Sequence, residues 1–82
     1  EKNDRIKIFE YYLKKLQTKE DLSELALEMG KVSIGFSCAD IANICNEASI
    51  LSIRQDEEFV TKELLYGAID NVVLRKRVGY CG

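Results

Sequence analysis

Three cysteines, Cys38, Cys45 and Cys81, and the acidic run Asp56-Glu57-Glu58 are the side chains in this 82-residue sequence whose types could carry covalent or acid–base chemistry. A cysteine or serine nucleophile needs a base beside it, and the sequence contains no histidine. The thiols are odd in number and unclustered, which does not make a disulfide framework and fits a reducing compartment. Without histidine or a C-x-x-C spacing there is no zinc motif. The acidic run falls in a polar turn, where consecutive carboxylates are ordinarily just solvated. Neither a G-x-x-x-x-G-K-[ST] phosphate loop nor an H-E-x-x-H helix occurs. Cys38 stands between Ser37 and Asp40, which read as helix-start residues. A thiol in the first turn of a helix meets the positive end of the dipole, which favours thiolate. The plainer reading is a small side chain filling a packed turn. Cys45 falls on an apolar face and reads as packing.

The elements that would position these groups are helices. The sequence has no proline and only five glycines, so long uninterrupted helices are open to it. Apolar spacing predicts four, at about 4–17, 21–29, 37–55 and 61–74, with 75–82 as a tail. In the first, Asp4 can cap the free amides, and Ile6, Phe9, Leu13 and Leu16 form a core stripe. Ile8 and Tyr12 make a second apolar row. One core needs only one stripe, so the second row asks for another partner, a neighbouring domain or a ligand. Asp21 and Glu24 have capping-box spacing before the buried set Leu22, Leu25, Ala26 and Met29, and Gly30 suits a left-handed helix end.

The third helix is the longest. Ser37 caps it, with Asp40 three positions on. Ile41, Ile44, Cys45, Ala48 and Leu51 form one face, while Ala39, Ala42, Ile50 and Ile53 make much of the rest small or apolar, as in a central buried helix. Asn43, Asn46 and Glu47 gather the polar groups on one side. They serve either a contact with a neighbouring domain or subunit, or local hydrogen bonding. Phe59-Val60 reads as a short extended pair. Thr61 caps the last helix, whose core face is Leu65, Ala68, Ile69 and Val72. The pattern as a whole is an all-α, four-helix domain filling residues 1–82.

Bulk composition excludes several functions. At 46% hydrophobic the chain is globular rather than disordered. Its formal charge of −2 argues against nucleic acid as a partner, because phosphate tracking needs a basic excess. The one basic run, Arg75-Lys76-Arg77, reads as a helix end complementing its dipole. No apolar run reaches the ~18–20 residues of a membrane span, and no signal peptide is visible. Direct membrane contact is therefore not expected. A domain this small buries only about 60–65% of its unfolded surface, so docking on a larger neighbour would help it.

The run Gly35-Phe36-Ser37-Cys38-Ala39-Asp40-Ile41, followed by Asn43-Ile44-Cys45-Asn46-Glu47-Ala48, resembles a signature of AAA ATPases. That signature reads G-F-S-G-A-D-[ILV] then N-x-x-N-E-A, at the start of the central helix of the lid subdomain. The N-E-A form looks most like FtsH-type membrane-anchored AAA proteases, the paraplegin-like mitochondrial ones included, with proteasomal regulatory ATPases close behind. Arg5 to Phe9 looks like the R-x-x-I-[LF] opening of the lid. Asp21 to Ala26 looks like D-L-x-x-L-A, Arg54 falls where the family often ends its central helix, and Val60 to Asp70 resembles the last helix. The likeness covers about Arg5 to Val73.

The resemblance implies a lid over the adenine and ribose of ATP held by a larger α/β subdomain of the same chain. It implies that Ile8 lies against the adenine, that Tyr12 stands near the ribose where many relatives have histidine, and that Cys38 and Ala39 approach base and ribose through their backbone. Cys38 occupies a position where glycine is usual, and glycine lets backbone come close. The implied cofactors are ATP with magnesium in the parent protein, and zinc in a protease domain if the parent is FtsH-type; the fragment alone is expected to bind none. The implied partners are the large subdomain, neighbouring subunits of a hexameric ring and protein substrates. The implied setting is intracellular, with the parent anchored in the mitochondrial inner membrane, a plastid or a bacterial membrane. This chain is then a lever coupling ATP hydrolysis to unfolding and translocation, without catalysis of its own. Two alternatives stay open: the lid of a proteasome-type ATPase or other unfoldase, and a stand-alone helical protein-binding module.

Overall fold

Ser37 and Asp40 close a reciprocal capping box at the start of the longest helix. The Asp40 amide donates to Ser37 Oγ (3.1 Å) and the Ser37 amide to Asp40 Oδ2 (3.0 Å). This is the third of four helices in the computed structural model, which describes residues 2–77: α1 Lys2–Leu13, α2 Leu22–Val32, α3 Cys38–Arg54 and α4 Lys62–Arg77. The Glu24 amide donates to Asp21 Oδ2 (3.2 Å) at the start of α2. The Leu64 amide donates to Thr61 Oγ1 (3.3 Å) at the start of α4. The fold is all-α, and the expected tail residues Gly79 to Gly82, Cys81 among them, lie outside the described residues.

α1 packs on α2, α3 packs on α4, and α1 joins the two pairs through α3. Phe9, Leu13, Leu25, Met29, Ile41, Ile44 and Leu65 are fully buried where the four helices meet. Each such side chain contributes about 1.5–3 kcal/mol on leaving water. Ala26, Ala48 and Ala68, also fully buried, let the helix axes approach. Leu64, absent from the expected core face of α4, is buried too.

Several boundaries differ from the pattern-based expectation, each for a local reason. α1 starts at Lys2, so Asp4 sits inside its first turn, where a carboxylate favours the dipole. α1 ends at Leu13 rather than Gln17, because its last bonds tighten: Lys15 N–H to the Tyr12 carbonyl (3.2 Å) and Leu16 N–H to the Leu13 carbonyl (3.0 Å). The chain then extends, and the Gln17 carbonyl accepts from the Val60 amide (2.7 Å) beside an isolated parallel bridge between Thr18 and Val60. The extended pair expected at Phe59-Val60 is the partner in that bridge.

Gly30 does not end α2. The helix runs through it to Val32, and Gly30 is buried. A Cβ there would lie 2.5 Å from Ile6 Cγ1, so the glycine lets α1 approach. The left-handed glycine is Gly35, at φ 86°, in the turn into α3. α4 continues past Leu74 to Arg77. α3 is central on one side only: Ile53 is 74% exposed and Ile50 36%.

Candidate functional site

Two contacts at opposite ends of α1 fix its direction against α3. Near its start, Arg5 Nη2 and Nε donate to the Gly30 carbonyl (3.0 and 3.3 Å), and Nε also donates to Ser33 Oγ (3.2 Å), just before α3 begins. Past its end, Gln17 accepts from Val60, just after α3 finishes. α1 therefore runs alongside α3 in the same sense. Ile8 stands one turn before Tyr12 on α1, and Cys38 and Ala39, in the first turn of α3, are exposed.

Ile8 and Tyr12 are both half-buried and pack on the core, so each keeps an uncovered edge. Four residues apart, they share one face of α1. Tyr12, Lys15 and Leu16 face Ala42, Cys45, Asn46 and Ser49 of α3 across an open groove of about 330 Å³. Ala42 lies three and four residues after Ala39 and Cys38, so all three are on neighbouring turns of one α3 face. The structure thus brings Tyr12 to α3 directly, while Ile8, Cys38 and Ala39 do not line that groove.

The groove mixes apolar Leu16, Ala42 and Cys45 with polar Lys15, Asn46 and Ser49. The Lys15 ammonium stands 4.2 Å from the Tyr11 ring centroid and 5.9 Å from that of Tyr12. The two rings pack edge to face at 5.1 Å. Cys45 is buried at the groove floor, and burial pushes its thiol up to about 12, which keeps it protonated and unreactive. Lys15 and Ser49 were not singled out from sequence. Nothing in their spacing marks them, since they meet only when α1 lies on α3.

The polar side of α3 divides in two. Asn43 and Asn46 are exposed. Glu47 is engaged locally: its Oε2 accepts from Asn71 Nδ2 (3.1 Å) and its Oε1 from Arg75 Nη2 (2.8 Å). The Arg75 hydrogen bond is the chief cause that holds the Glu47 carboxyl below its ordinary range. Arg75 thus serves α3 as well as its own helix end. On the far side of the fold, Tyr66 Oη donates to Glu28 Oε2, joining α4 to α2 and raising the phenol above its ordinary value.

Among the described residues no group of histidine, cysteine, aspartate and glutamate is arranged to hold a metal ion. Nor is any helix among them long and apolar enough to cross a membrane.

Four helices with a capping box on the central one fit the helical lid of an AAA ATPase. Residues 19–65 match the family model of the AAA+ lid domain, more than half of the chain, and the chain belongs to that family. Within it, the sequence is similar to FtsH-type proteins. It is 39% identical over 77 residues to the ATP-dependent zinc metalloprotease FtsH of Parabacteroides distasonis, covering 92% of this chain and 11% of that protein. It is 38% identical over 69 residues to the mitochondrial ATP-dependent zinc metalloprotease FTSH 8 of Oryza sativa, covering 84% of this chain and 8% of that one. It is also 37% identical over 73 residues to a proteasome-activating nucleotidase of Saccharolobus islandicus, covering 88% of this chain and 18% of that one. The chain therefore spans less than a fifth of the length of these relatives.

Proposed function

We propose that this domain covers the nucleotide of an ATP-driven, FtsH-type protease and turns its binding and hydrolysis into movement of protein substrates. The observation that carries the reading is Tyr12 facing α3 across an open groove. It is supported by the half-buried Ile8 one turn before it, and by the exposure of Cys38 and Ala39 at the start of α3. Ile8 would give the adenine an apolar wall, and the Tyr12 phenol would give the ribose side a ring edge and a hydroxyl. The Cys38 and Ala39 backbone would approach base and ribose, with the Cys38 side chain setting how closely. This chain has no phosphate loop, so the large α/β subdomain would hold the phosphates and magnesium. Zinc would belong to a separate protease domain. Neighbouring subunits of a hexameric ring would complete the motor, anchored in a mitochondrial, plastid or bacterial membrane, and the lid would act by hinge closure.

Titration of the full-length protein with a fluorescent ATP analogue tests this. Ile8→Glu should weaken binding at least tenfold, by placing a charge against the base. Unchanged affinity would refute the reading.

The near-equal identity to a proteasome-activating nucleotidase favours one second reading, the lid of a regulatory ATPase with no protease on the same polypeptide. An H-E-x-x-H helix after Gly82 and chelator-sensitive peptidase activity decide for the protease; their absence from the full-length protein decides for the second reading.

A further inference from the structure

We propose that Glu47 is a positioning residue that makes α3 and α4 move as one body, so that nucleotide sensed at the start of α3 is transmitted to the end of α4. This rests on the nucleotide-covering reading above. Glu47 sits in the middle of α3, and its two oxygens take Asn71 and Arg75, which stand one turn apart on α4. The carboxylate therefore grips a full turn of the opposing helix. Its side chain is only 13% exposed, against 49% for Arg75. Apolar packing fades where the grip is made. Val72 is buried, Val73 is half-buried, and Leu74 is 58% exposed. Up to Val73 apolar packing holds α4 down, alongside the Asn71 bond; beyond it, the Arg75 bond to Glu47 continues the contact with α3. The positive charge of Arg54 at the end of α3 also favours the ionised carboxylate, so the grip stays charged at neutral pH. Because charge-assisted bonds are about twice as strong as neutral ones, glutamine at this position would keep the Asn71 contact and lose the stronger half.

The test uses the full-length protein and compares wild type, Glu47→Ala, and the exchange pair Glu47→Lys with Arg75→Glu. Hydrogen exchange is followed at residues 39–48 and 70–75, with and without a non-hydrolysable ATP analogue. Wild type should gain protection in both segments on binding. Glu47→Ala should bind the analogue within about twofold of wild type and gain protection in α3 alone, and its ATP-driven degradation of an unfolded substrate should fall at least fivefold. The exchange pair, which restores an ion pair in reverse, should recover the α4 response and most of the degradation. An α4 response in Glu47→Ala equal to wild type would overturn the proposal. So would affinity weakened tenfold, because Glu47 would then act on the nucleotide directly. No nucleotide-linked protection of α3 in wild type would instead sink the underlying reading of the lid.

Discussion

Gly30 of α2 and Ile6 of α1 meet so closely that a Cβ added at Gly30 would lie 2.5 Å from Ile6 Cγ1. That carbon is bonded to the branched Cβ, so it moves only with the restricted χ1 of a β-branched side chain and cannot swing aside as a flexible tip would. Gly30→Ala should therefore destabilise the domain by about 1 kcal/mol, since overpacking of about 1–3 kcal/mol outweighs the gain of about 1 kcal/mol in helix propensity. Urea unfolding measures this. Adding Ile6→Ala should rescue part of the loss, with a coupling of at least about 0.5 kcal/mol between the two sites. A Gly30→Ala variant more stable than the parent would show that α1 does not sit so close.

Arg5 spans the same junction. Its guanidinium serves the Gly30 carbonyl and Ser33 Oγ, and Ser33 is fully buried. Removing it leaves buried Ser33 Oγ without its donor and the Gly30 carbonyl with only the Ser33 hydroxyl (3.3 Å), which costs about 1–3 kcal/mol. Arg5→Lys should not restore the loss, because an ammonium is a point charge and cannot reach both acceptors as a fork does. Thermal unfolding of Arg5→Ala and Arg5→Lys checks this; full rescue by lysine would contradict the fork geometry.

Cys45 gives the domain an alkaline weakness. Burial raises its folded-state pKa from 9.0 to about 12, so the native state keeps a proton that the unfolded chain releases. That stabilisation is complete below about pH 9 and is lost as pH rises from 9 toward 12, at a slope approaching about 1.4 kcal/mol per pH unit. Cys45→Ala should flatten this part of the stability curve. In a Cys81→Ser background, exposed Cys38 should alkylate in the native state at pH 8 and Cys45 only after denaturation. Equal labelling of both would contradict the burial.

Gly35 tests the opposite kind of glycine. Nothing lies within 4 Å of an added Cβ, so space is not its reason. Its φ of 86° is, and a side chain in that left-handed region costs about 1–2 kcal/mol. Gly35→Asn should be tolerated better than Gly35→Val by circular-dichroism melting, because asparagine enters this region far more readily than a β-branched residue. Equal melting points for the two would remove the backbone argument.

Helix count and core were legible because they rest on periodicity. Phe9, Leu13, Leu25, Met29, Ile41 and Leu65 recur at helical spacing and are all buried. The capping box at Ser37 and Asp40 was legible because it is local in sequence. What could not be read depends on which helices meet. Gly30 looked like a helix end because a glycine's partner, here Ile6, is 24 positions away. Glu47 could be placed on a polar side, but not assigned to Asn71 and Arg75 until α4 was laid on α3. Ile8 and Tyr12 stood out as a second apolar row, yet the groove that Tyr12 borders needs Ala42, Cys45 and Ser49 from another helix. Ile53 was read as part of an all-round apolar helix and is open to solvent, since periodicity cannot say which faces a fold covers.

The central claim is that nucleotide lies against the α1–α3 face, and photo-crosslinking tests it most directly. Full-length protein would be irradiated with 8-azido-ATP, which carries its reactive group on the base, and the modified peptides mapped by mass spectrometry. The account predicts adducts within residues 6–13 or 37–42, suppressed by excess ATP and lost in Ile8→Glu. Saturable labelling confined to segments outside this domain would contradict it.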